Sequence, residues 1–73
     1  MEHFASVHDG AVVVFPHSFH YYMKVCTGQG QGGVVDIATG RLYNKHEIEQ
    51  WGYGTQCTVV AKNLREHFAK YLF

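Results

Sequence analysis

Up to Tyr43 the chain is written in short β-branched and aromatic runs separated by glycine, and beyond it in helical spacing. That change of period limits the fold more than any other feature. Strand-like runs followed by a helical stretch specify an α+β domain, because alternating βαβ units are missing. Residues 4–8 and 11–15 flank Asp9-Gly10, the dipeptide that tight type I′ hairpin turns prefer. Val12, Val13 and Val14 are stiff at χ1 and suit a pleated surface, and Pro16, which cannot donate to a ladder, should end that strand. In the next run, 18–26, alternation places Phe19, Tyr21, Met23 and Val25 on the better core face, with His20, Tyr22, Lys24 and Cys26 opposite. A glycine-rich connection over 27–33 leads to a strand over 34–38, and Thr39-Gly40 turns the chain into Arg41-Leu42-Tyr43. The expected sheet is an antiparallel β-meander of three to five strands.

Asn44 followed by Glu47 is a helix start signal, a capping side chain with a carboxylate three residues on. The helix it opens, over 45–51, is short because Gly52 and Gly54 punctuate it, and Ile48 and Trp51 share its buried face. Val60, Leu64, Phe68, Tyr71 and Leu72 then form a stripe at helical period. They predict a long C-terminal helix over 58–72, packed on one face of the sheet. The whole chain, 1–73, reads as a single domain.

Composition narrows the function classes. Lysine plus arginine balances aspartate plus glutamate, six each. The balance argues against a strongly basic nucleic-acid binder and against an acidic mimic of nucleic acid. Near-zero charge with 15% aromatic residues favours a permanent partner or a homodimer. Met1-Glu2-His3-Phe4 lacks the basic-then-apolar pattern of a leader, and the run over 11–15 is far short of the ~20 residues of a membrane helix. With two cysteines, a reduced cytoplasmic setting is the simpler expectation, although one Cys26–Cys57 bridge fits the count.

Three motifs invite chemistry. Gly28-Gln29-Gly30-Gln31-Gly32-Gly33-Val34-Val35 fits G-x-G-x-x-G-x-V. A dinucleotide site needs a helix directly after the glycines, and here a strand follows, so the segment reads as a hairpin or recognition loop. His17 and His20, with Cys26 and Cys57, are the residue types of a tetrahedral zinc site, but a spacing of three on a strand puts the two histidines on opposite faces. Surface histidines are the simpler reading, and no metal or cofactor is expected. Neither cysteine has an orienting carboxylate at an interpretable spacing, there is no G-x-S-x-G elbow, and the chain has little room for a cavity of ~300 Å³ or more. A non-enzyme follows.

Phe15, Phe19, Tyr21 and Tyr22 are suitable in type for stacking single-stranded bases, yet the stretch carries one cation, Lys24. What remains is protein binding. The surplus aromatic residues Tyr22, Phe15, Tyr43, Tyr53 and Phe73, with Gln29 and Gln31 in the loop, are the expected contact residues. The reading is a small protein-binding module that modulates or inhibits a larger protein, of the sort phages and mobile elements carry. A zinc-binding domain and a sheet-based single-strand binder are the alternatives.

Overall fold

A computed structural model describes residues 2–16, 19–26, 32–51 and 56–72. The architecture is α+β, a six-stranded antiparallel sheet with two helices. The strands are β1 (Glu2–His3), β2 (Val12–Val14), β3 (Tyr22–Cys26), β4 (Gly32–Asp36), β5 (Leu42–Asn44) and β6 (Gln56–Ala61). The helices are α1 (Lys45–Glu49) and α2 (Leu64–Leu72), and a 3₁₀ turn occupies Phe4–Ser6. The spatial order is β1-β6-β2-β3-β4-β5. Strands β2 to β5 form the expected meander, while β6 inserts between β1 and β2 and takes the count past five.

That insertion corrects two expectations. Residues 58–61 are strand, so the C-terminal helix is short and begins at Leu64. Thr58 and Val59 are β-branched and pair with Val14 and Val13 of β2, while Gln56 and Cys57 ahead of them pair with β1. Of the stripe at helical period, Val60 lies in β6, while Leu64, Phe68, Tyr71 and Leu72 fall in α2. The second correction is the hairpin at Asp9-Gly10. Residues 4–6 leave the sheet as a 3₁₀ turn because Phe4 and Val7 drop into the core. Gly10, at φ +91°, instead donates its N–H to the Lys24 carbonyl at 2.7 Å, steering the chain into β2 beside β3.

Local signals held elsewhere. The Asn44 Oδ1 accepts the Glu47 N–H at 2.9 Å, and Glu47 Oε1 accepts the Asn44 N–H at 3.2 Å, a complete capping box. The helix ends at Glu49, with Trp51 still packed beneath it against the core. Replacing Asn44 with alanine leaves the first-turn donors uncapped and should lower the unfolding free energy by about 1 kcal/mol, read as a shift of the urea midpoint. The turn at 37–40 closes as expected, with Gly40 N–H on the Asp36 carbonyl at 2.7 Å. Cys26 pairs with Gly32, so β3 and β4 are antiparallel neighbours, and residues 27–31 of the glycine-rich connection lie outside the described residues.

Cross-strand register sorts the side chains onto two faces, since directly opposed residues share one. Val13, Tyr22, Lys24, Val34, Tyr43 and Val59 lie on one face. The 3₁₀ turn and α1 cover it, enclosing Phe4, Val7, Phe15 and Ile48. Ala61, Val12, Met23, Val35 and Leu42 form a row across the other. The alternation in β3 is thus the reverse of the expected one: Tyr22 and Lys24 are buried, while Tyr21, Met23 and Val25 are only partly so and Phe19 is exposed. Hydrophobicity favoured the wrong face because Tyr22 joins the rings of Phe15, Tyr43 and Trp51, and the Lys24 ammonium is satisfied by the Phe4 and Val7 carbonyls.

Helix α2 packs against β6, and its buried residue is His67, whose ring meets Tyr21 at 4.6 Å. Phe68, one position on, is left 44% exposed. The register between β2 and β6 slips at Val60, and the Lys70 ammonium donates to the carbonyl of this extra residue. No helix among the described residues is long and apolar enough to cross a membrane.

Candidate functional site

The row of five residues across β6, β2, β3, β4 and β5 carries no charge, and the same holds for its neighbours on that face, Val14, Thr58, Val25, Gly33 and Asn44. An antiparallel sheet with one face toward water normally shows polar residues there. Here coverage falls steadily along the row. Ala61 and Val12, next to α2, are buried, Met23 and Val35 are partly exposed, and Leu42 is 50% exposed. At one corner Phe19, 98% exposed, stands with Tyr21, Ile37, Ala38 and His67 around a crevice of about 250 Å³. Helix α2 contacts β6, and its His67 ring meets Tyr21 at this corner, while Leu42 at the far end of the row stays exposed.

The sheet edge beside Leu42 is blunted. Asp36 N–H bonds to the Arg41 carbonyl at 2.9 Å, and antiparallel alternation then turns the N–H and C=O of Leu42 and Asn44 away from β4. Asn44 N–H is already taken by Glu47. Only Leu42 offers an outward donor along β5, so sheet extension through this edge is weakly supported and the face beside it is the better contact surface.

The aromatic residues expected at a contact surface lie elsewhere. Phe15 and Tyr22 are buried, and Tyr43 packs on the core. With Trp51 they form one cluster: Phe15–Tyr22 at 5.5 Å, Phe15–Trp51 at 5.3 Å and Tyr43–Trp51 at 5.1 Å, all near edge-to-face. Their enclosure also prevents the sheet from presenting Phe15, Phe19, Tyr21 and Tyr22 together as a stacking platform. Tyr53, Phe73, Gln29, Gln31 and His17 fall outside the described residues.

The remaining metal-type residues are dispersed. His20, just before β3, holds Asp36 through Nδ1 at 2.8 Å, while Cys26 is exposed at the far end of that strand, roughly 20 Å along an extended chain. Cys57 is buried in the core. Among the described residues no three His, Cys, Asp or Glu side chains gather to hold a metal ion. The cysteines are thiols, not a bridge. Burial, reinforced by the Glu2 carboxylate and opposed by Lys24, raises the Cys57 thiol from 9.0 to about 11.

Below pH 9 both folded and unfolded chains keep the Cys57 proton. Between pH 9 and about 11 the unfolded chain releases it first, so this group's contribution to stability is lost as pH rises through that window. Urea titrations at those pH values should show Cys57→Ala with a shallower decline than the parent. In native protein a thiol reagent should label Cys26 and spare Cys57.

On the covered face lies a second feature that sequence reading missed. A cavity of about 800 Å³ opens between the 3₁₀ turn, the ends of β3 and β4, and α1, larger than the length had suggested. Its floor holds Lys24, which alternation had assigned to solvent. Lys24 Nζ donates to the carbonyls of Phe4 at 3.0 Å and Val7 at 3.2 Å and lies 5.5 Å from the Phe4 ring centre. Comparison with protein-family models, curated proteins and solved structures finds no match to this chain.

Proposed function

We propose that this chain is a non-enzymatic protein-binding module that docks a larger protein on the half-open sheet face and modulates or inhibits it in the cytoplasm. The observation that carries the reading is the gradient of coverage along the uncharged row from Ala61 to Leu42. Contiguous exposed apolar surface rimmed by polar residues is a mark of protein contact. Phosphates and lipid headgroups would find no cation in that row, which favours an apolar protein surface as the occupant. Phe19 and Phe68 supply the rings, in place of Tyr22, Phe15 and Tyr43.

Leu42→Asp and Phe68→Asp test it. Both side chains are about half exposed, so each variant should keep the parent's far-UV spectrum and melting curve. Capture of the protein that the parent retains should fall by about tenfold or more, the effect of a charge buried in an apolar contact. Capture that survives both substitutions, or a parent that forms no complex with another protein, overturns the reading. A complex containing only a second copy, read by light scattering, replaces it with a homodimer.

A further inference from the structure

We propose that the cavity floored by Lys24 is a binding site for a small ligand bearing an oxyanion, a phosphate or a carboxylate. It is separate from the docking face, since Lys24 shares the opposite side of the sheet with Val34 and Tyr22. Lys24 is only 5% exposed, and buried ammonium groups are almost always matched by an anion. Among the described residues no carboxylate lies within 4.0 Å of it. Two backbone carbonyls and the Phe4 ring occupy part of its coordination, but dipoles leave the formal charge without a counterion.

The surroundings suit a ligand in the missing role. A volume of about 800 Å³ lies within the range of small-molecule sites. Gly32 keeps the approach to the ammonium clear: a Cβ there would stand 2.8 Å from Lys24 Cε and 3.1 Å from Nζ. Lys45 and His46 on α1 add cationic or donor groups at the rim, while Asp9 and Glu49 also line it. Those two carboxylates would repel a polyanion and accept hydrogen bonds from hydroxyl or amino groups. The matching ligand therefore carries one oxyanion for Lys24 together with hydrogen-bond donors for the two carboxylates.

The test is an amide NMR titration of the full chain with inorganic phosphate and, separately, acetate, at ionic strength held constant with sodium chloride. Saturable shifts at Lys24, Cys26 and Gly32 are expected with at least one anion, and the one that saturates at lower concentration identifies the oxyanion. Lys24→Met should abolish them. Lys45→Gln, at an exposed rim position that leaves the fold intact even if the first variant unfolds, should weaken binding by about fivefold. Shifts absent with both anions, matched by chloride alone, or unchanged in Lys45→Gln and in a folded Lys24→Met would overturn the proposal.

Discussion

Replacing Phe4 with alanine should lower the unfolding free energy by about 3–5 kcal/mol, the range for emptying a buried aromatic site. The ring is fully enclosed, stacks on His3 at 5.3 Å and lies beside the Lys24 ammonium. A chain of 73 residues has a total stability of about 4–11 kcal/mol at the usual per-residue value, so this one truncation consumes a large share. Urea denaturation followed by far-UV circular dichroism should show the midpoint collapse or the cooperative transition vanish. A shift smaller than about 1 kcal/mol would mean that the 3₁₀ turn is not part of the core.

The second large effect falls on Lys24. Its ammonium joins β3 to the turn by two charge-assisted bonds to buried carbonyls, each worth about 1.5–3 kcal/mol before the cost of burying the charge is subtracted. Lys24→Ala removes bonds and stem together and should cost about 2–4 kcal/mol. Lys24→Met keeps the stem packed against Phe4 and should cost about 2, because water entering the cavity satisfies the carbonyls in part. Equal urea midpoints for parent and Lys24→Met would show that the clamp contributes nothing. Gly32→Ala belongs to the same account, since its methyl group would strike a Lys side chain that two bonds hold in place.

What could be read from the sequence was what neighbouring residues decide among themselves. Asn44 and Glu47 satisfy each other's backbone groups within one turn of chain, and the turn before Arg41 closes over four residues. Ile48 and Trp51 were likewise correctly paired under α1. The failures lie where distant segments compete. Residues 58–61 hold one position of the helical stripe, Val60, and pairing with β2 decided for strand. Phe15, Tyr22 and Tyr43 looked surplus until Trp51 drew them into one cluster.

One signal for the half-open sheet face was present and went unused. Val12-Val13, Val34-Val35 and Val59-Val60 place apolar residues on both sides of their strands, and such a sheet needs cover on both faces. A short α2 can shield only part of the second face, which is why the row ends in an exposed Leu42. Lys24 had no comparable signal. Its burial depends on carbonyls seventeen and twenty residues upstream.

The account turns on the sheet face that ends at Leu42, and photo-crosslinking reads that face directly. A photoreactive phenylalanine analogue is placed at Leu42 in one sample and at exposed Gln50, beyond α1 on the covered side, in another. Irradiation with the bound protein should give a covalent adduct from position 42 and none from position 50. An adduct from position 50 alone, or an adduct from position 42 at only twice the 8.3 kDa chain mass, would contradict docking of a larger protein on this face.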